Sequence, residues 1–251
     1  MPSNDPMKPT PNSPAEPLPL LAFGAHPDDI EFGCGGVIAL ETRSGRGAHL
    51  VVCSGGESGT HGSVEERAAE AAKAADILGA TLEFVKLDGD ARLELKASHA
   101  IRLASIIRRV RPGVVLAPSL VENQHPDHAR LGRLVRDAAR LARYGGMAEL
   151  KAQPPHGIGQ LFYYALTAES EPRDITPILI DLSEAGVVED WISAMEAHAS
   201  QTRARNYVEL QLLRARLRGA AANVSHAIAL YPNDPPVVGG LGSVCRGARR
   251  F

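Results

Sequence analysis

Residues 18–29 read Leu18-Pro-Leu-Leu-Ala-Phe-Gly-Ala-His-Pro-Asp-Asp29, an apolar run of strand length that ends abruptly in an imidazole and two carboxylates. The apolar part, Leu18 to Ala25, has no polar alternation, so it reads as a strand buried on both faces. Strands of that kind belong to parallel sheets with helices on either side. Working outward, Gly36 to Ser44 reads as a helix and His49 to Cys53 as a second buried strand, closed by the glycine-rich loop from Ser54 to Gly62. Ser63 with Glu66 three residues on carries the signature of a capping box. Val64, Ala68, Ala71, Ala75 and Leu78 then line one helical face before Gly79 stops it.

The pattern continues along the chain. Leu82 to Leu87 is strand-like, 97–110 is helical, Val114 to Ala117 is a fourth strand, and Leu131, Leu134, Val135, Ala138 and Leu141 mark an amphipathic helix. Further on, Leu161 to Leu166, Ile178 to Leu182 and Ala227 to Tyr231 read as strands, and Ser183 to Ala199 and Arg203 to Ala222 as helices. The alternation predicts an α/β fold: a Rossmann-like, three-layer α/β/α arrangement around a mostly parallel sheet. Seven of the 18 prolines fall within the first 19 residues, where neither helix nor central strand can form. Residues 1–17 are therefore expected to be a flexible arm, and 18–251 a single domain.

Composition removes several function classes. Lys+Arg number 27 against 29 Asp+Glu, a formal charge of −2, which lacks the basic excess of a nucleic-acid binder. No stretch approaches the roughly 18 apolar residues of a membrane helix, and the N-terminus lacks a signal-peptide pattern. The expectation is a cytoplasmic protein with no membrane or nucleic-acid partner. Cys34, Cys53 and Cys245 form no C-x-x-C pair and are read as reduced, buried hydrophobes.

In an open parallel sheet, ligands bind beyond the carboxyl ends of the strands, where the strand order reverses. Two strand exits carry related tripeptides: His26-Pro27-Asp28-Asp29 after the first strand and His125-Pro126-Asp127-His128 after the fourth. Two imidazoles and a carboxylate with an open position make a catalytic zinc site, and hydrolysis also needs a base and a group facing the developing oxyanion. His26, Asp29 and His128 can serve as ligands, leaving Asp28 as base and His125 as electrophile or proton donor. Each element has a plainer account. Asp-Asp after a strand is more often a helix cap, Asp127 can cap the next helix, and His49, His99, His156, His198 and His226 read as surface or core residues. Gly33-Cys34-Gly35-Gly36 has the look of a dinucleotide loop without its G-x-G-x-x-G spacing. Duplication of His-Pro-Asp at two strand ends favours the metal.

With the A-H-P-D-D and H-P-D-H motifs both intact, and with Gly56-Glu57-Ser58-Gly59-Thr60, Glu66-Arg67 and Ile77-Leu78-Gly79 between them, the sequence resembles the LmbE-like, or PIG-L-like, family of zinc-dependent N-acetylglucosaminyl deacetylases. The resemblance spans roughly residues 20 to 230. It implies zinc on His26, Asp29 and His128, with Fe2+ or Mn2+ as alternatives, Asp28 as base and His125 as oxyanion stabiliser oriented by Asp127. It further implies Arg67 and Glu57 at a small-molecule amino-sugar substrate such as a GlcNAc-malate or GlcNAc-inositol conjugate, and leaves a homo-oligomer open. Two other functions are carried beside it: an amidase of a larger acyl group, and a metal-dependent sugar or nucleotide binder without turnover. In relatives a Tyr-Ala-Glu-Gly-Phe-like segment helps close the pocket. Here Tyr231 is followed by Pro232-Asn-Asp-Pro-Pro236.

Overall fold

The computed structural model describes residues 17–122, 125–203, 206–240 and 247–248; all but the last residue of the expected proline-rich arm at 1–17, and Cys245, lie outside them. In chain order the elements are β1 (Leu20–Gly24), α1 (Asp29–Arg43), β2 (Ala48–Val52), α2 (Val64–Ile77), β3 (Thr81–Phe84), α3 (Ala97–Val110), β4 (Val114–Pro118) and α4 (Pro126–Ala142). There follow β5 (Gln160–Tyr164), β6 (Ile178–Asp181), α5 (Val187–Ala197), the short α6 (Ala199–Thr202), α7 (Tyr207–Ala222) and β7 (Ala227–Pro232). The seven strands form a sheet in the order β3-β2-β1-β4-β5-β7-β6. The first five are mutually parallel, and β7 runs antiparallel to both of its neighbours. Among the described residues no helix is long and apolar enough to cross a membrane.

Alternation along β1 shows why this sheet needs two covers. Leu20 and Ala22 join a core with residues of α1, α2, α5 and α7, while Leu21 and Phe23 join a second core with α3 and α4. The chain leaves β1 toward β2 and later returns to β4 on the other side, so strand order reverses between β1 and β4. The crevice at that reversal is where such a fold exposes ligand-binding loops.

One helix begins earlier than its sequence suggests. The expected start was Gly36, yet α1 runs from Asp29 through Gly33, Gly35 and Gly36, residues that weaken an isolated helix. Their value is tertiary. A Cβ on Gly33 would overlap the Tyr164 ring, one on Gly35 would lie 2.8 Å from Trp191, and one on Gly36 2.7 Å from Leu182. The dinucleotide-loop appearance of this stretch is thus a close helix contact. It is fixed by Tyr164 Oη donating to the Phe23 carbonyl and Trp191 Nε1 to that of Glu31, both at 2.7 Å. The N-cap of α2 is as expected: Ser63 Oγ accepts from the Glu66 amide at 3.1 Å. In the last third, α5 begins at Val187 and α7 at Tyr207, a few residues inside the expected spans.

Candidate metal and catalytic site

The exit of β1 is a tight turn. Asp28 caps α1 with φ 114°, ψ −26°, a region that L-residues occupy only when the surroundings impose it, at a cost on the order of 1–3 kcal/mol. Two contacts impose it here. Asp29 Oδ2 accepts from the amides of Ala25 (2.8 Å) and His26 (3.0 Å), and Arg67 Nη2 donates to the Pro27 carbonyl at 2.9 Å. The exit of β4 is built differently. His125 caps α4 with extended backbone, φ −118°, its Nδ1 accepting from the Asp127 amide at 3.4 Å, and Pro126 occupies the first turn where no amide donor is needed.

These two turns bring three imidazoles together, with ring centroids 4.2 Å apart for His26 and His125, and 5.2 Å for His128 to either. Asp29 joins them, Oδ1 lying 3.1 Å from His128 Nε2 and Oδ2 3.5 Å from His26 Nδ1. Among the described residues two donor sets have atoms within 4.8 Å of one another, His26 with His125 and His128, and His26 with Asp90, His125 and Asp127; Asp29 is in neither. Nitrogen and carboxylate donors of this kind fit zinc and also ferrous iron or manganese. His26 Nε2 and Asp90 Oδ1 are buried without a hydrogen-bond partner, as atoms awaiting a cation or proton are.

The electrostatics divide the two adjacent carboxylates. Burial opposes ionisation of both, but His128 and His26 hold Asp29 well below the usual carboxylate range. Burial and the neighbouring Asp29 push Asp28 up to about 6, against the pull of His198, Arg67 and His26. His26 is held well above its ordinary value by Asp29, Asp127 and Asp90 despite burial. His125 moves the other way: burial, His26 and His128 lower it and outweigh Asp127 and Asp90. Asp127, its neighbour in the chain, would by itself raise it. The Nδ1 acceptor role leaves its proton on Nε2.

The remaining expected residues sit unevenly around the cavity. Asp127 is buried, with Oδ2 3.6 Å from His26 Nε2, and it holds His125 through its backbone amide. Arg67 borders the cavity but is buried, its Nη1 donating to Gly56 O at 2.9 Å and its Nη2 lying 3.5 Å from Asp28 Oδ2. Glu57 does not line the cavity; its carboxylate accepts from the amides of Gly55 (2.8 Å) and Asp90 (3.0 Å). Nor does the Tyr231–Pro236 segment, whose Asn233 accepts from Tyr163 Oη at 2.8 Å instead. Two site residues were missed. Asp90 reaches in from the loop after β3, and His198, 1% exposed, lies 3.4 Å from Glu31 and contributes to the field on Asp28. Burial pushes the Cys34 and Cys53 thiols up, which leaves them unreactive.

The cavity over this cluster measures about 380 Å³, with a polar floor and an apolar wall of Phe32, Leu166, Tyr207 and Leu210. Its size suits a small molecule.

The fold is α/β, the cluster at its switch point could hold a metal ion, and comparison with known proteins gives the family. Residues 21–139 match the PIG-L family, described as GlcNAc-PI de-N-acetylase. The chain is 30% identical over 195 residues to diacetylchitobiose deacetylase of Thermococcus kodakarensis, covering 72% of this chain and 69% of that protein. It is 35% identical over 138 residues to 4-oxalmesaconate hydratase of Pseudomonas putida, a match that spans half of this chain (50%) and about half of the hydratase (53%). A conserved protein of Thermus thermophilus has a similar structure, with TM-score 0.79 and 30% identity over 88% of this chain and 97% of that one. The chain belongs to the PIG-L (LmbE-like) family of enzymes, the fold and family that the motifs had implied.

Proposed function

We propose that this protein is a metal-dependent N-deacetylase that hydrolyses the acetamide of a small N-acetylglucosamine conjugate. The observation that carries this reading is Asp28: a carboxylate facing the cavity with its pKa pushed up to about 6, beside an Asp29 that His128 and His26 hold ionised. A protein that only bound a metal and a sugar would have no use for such a base; a hydrolase needs one tuned toward neutrality.

His26, Asp29 and His128 are the proposed ligands of a divalent metal, zinc in the first instance. Bound there, the metal supplies Lewis acidity toward a carbonyl oxygen and lowers the pKa of water. Asp28, ionised above pH 6, takes the proton of the attacking water and delivers it to the departing amine. His125 in its neutral form donates from Nε2 to the developing oxyanion. Asp127 holds the His125 ring through the amide bond at its cap, and Arg67 keeps the Asp28 turn in place. Hydrolysis of an acetamide then yields acetate and a free amine with no covalent intermediate.

The likeness to the hydratase favours a second reading, because addition of water across a double bond draws on the same metal and base. Acetate release separates the two. Protein loaded with zinc should liberate acetate and primary amine stoichiometrically from a panel of N-acetylglucosamine conjugates, and Asp28→Asn should slow it at least about 100-fold. Absence of acetate across the panel, with water added to an unsaturated acid instead, would sink the deacetylase reading.

A further inference from the structure

Asp90 lies in a loop that the sequence motifs do not single out, yet its placement is among the most constrained in the molecule. Its amide donates to Glu57 Oε1 at 3.0 Å, its carbonyl accepts from Ser58 Oγ at 3.0 Å, and its Oδ2 accepts from the Ser58 amide at 3.1 Å. Ala91 beside it has φ 62°, so the loop turns sharply after the carboxylate. One oxygen is therefore spent on anchoring the side chain. The other, Oδ1, is buried 3.1 Å from the equally buried His26 Nε2, within reach of a hydrogen bond though not aligned for one. On the opposite edge of the same ring, Nδ1 faces Asp29 at 3.5 Å.

Resting on the ligand assignment proposed above, we infer that Asp90 is a positioning residue for the metal. Its Oδ1 accepts the Nε2 proton of His26 and thereby presents the Nδ1 lone pair toward Asp29 and His128. An imidazole ligand has two nitrogens, and the hydrogen bond made by one decides which is left to bind the metal. Asp127 is the rival for this role. It stands farther from Nε2, at 3.6 Å, and its carboxylate is already engaged by the Ala91 amide and by Arg130 at 3.5 Å. His125 Nε2, 3.3 Å from the same Asp90 oxygen, can share it, so Asp90 also sets the distance between the metal side of the cluster and the proton donor.

The test reads metal alone, with no substrate. Zinc affinity is measured by competition with a chromophoric chelator for the wild type, Asp90→Ala, Asp90→Asn and Asp127→Asn. Loss of a carboxylate that orients a ligand costs about 10-fold to 100-fold in affinity, so Asp90→Ala should fall in that range. Asp90→Asn has one acceptor oxygen where Asp has two; with that oxygen on the Ser58 amide it turns an NH2 toward His26 and should lose affinity as Asp90→Ala does, while Asp127→Asn should change affinity less than Asp90→Ala. In long-range nitrogen-15 spectra of the zinc-loaded wild type, His26 should bind through Nδ1 and carry a hydrogen-bonded proton on Nε2 whose downfield shift is lost in Asp90→Asn. Zinc on Nε2, unchanged affinity in both Asp90 variants, or a larger loss in Asp127→Asn would overturn the inference. Asp90→Asn is isosteric, so the spectrum stands as a test even where Asp90→Ala fails to fold. Asp90-dependent zinc binding in a protein that releases no acetate would refute the deacetylase and leave this inference standing.

Discussion

The tripeptide His-Pro-Asp occurs twice in this protein, and the two copies are two residues out of step with their helices. After β1 the cap of the helix is the third residue, Asp28, in a backbone region rare for anything but glycine. After β4 the cap is the first residue, His125, in ordinary extended backbone, and the proline enters the helix. The shift redistributes the chemistry. In the first turn His26 precedes the helix and Asp29 opens it, so the proposed ligand, base and ligand come from one strained bend. In the second, the cap is the proposed proton donor and His128, the other proposed ligand, sits in the first helical turn. Identical residues acquire different roles because the helix start, and not the tripeptide, fixes where each side chain points.

The comparison is most exposed to failure in activity. Asp28→Asn should keep metal and lower acetate release by about 100-fold to 10,000-fold, whereas Asp29→Asn should lose metal. Exchanged phenotypes, read by metal analysis and turnover together, would mean that the frame of the first turn has been misassigned. In the second turn His128→Ala should shed most of its zinc while remaining folded. His125→Ala should retain zinc and lose about 100-fold in turnover, and metal loss in that variant would make the cap a ligand.

Stability supplies a finer test. Because the pKa of Asp28 is raised in the fold to about 6 from an ordinary 3.8, its charge opposes folding. The penalty is full above pH 6, shrinks as pH falls, and is absent below about 4, amounting to about 3 kcal/mol at most. Metal-free Asp28→Asn should therefore melt above the wild type at pH 7.5, with the gap closing by pH 4; a gap that does not depend on pH would assign the gain to something other than the charge. The smallest effect concerns backbone alone. Asp28→Gly should exceed Asp28→Ala in stability by about 1 kcal/mol in denaturant titrations, since only glycine takes φ 114° freely. Equal stability would show that the bend stores little strain.

Much of this could be read from the chain because it is local. Buried strands announce themselves as apolar runs, and a motif at a strand's end needs only its own neighbours to be seen. What escaped depended on distant residues. The start of α1 was hidden because its glycines answer to Tyr164, Trp191 and Leu182, none of them near in sequence. Asp90 belongs to no motif in the sequence, and only the fold brings Glu57 and Ser58 to anchor it. The His125 shift depends on the fold in the same way: the sequence shows Asp127 beside it, while burial, His26 and His128 lower it.

The glycine-lined contact of α1 also bears on how this protein can be recombined with its relatives. The helix that opens at Asp29 rests on aromatic and aliphatic side chains supplied by the last third of the chain, so the halves are matched like a key and its lock. A chimera that joins residues up to about 150 of this protein to the remainder of a homologue inherits a working metal turn only when the donor also brings rings shaped for Gly33 and Gly35. Shuffled genes that mix the two freely would fail there first, far from any residue that touches the metal.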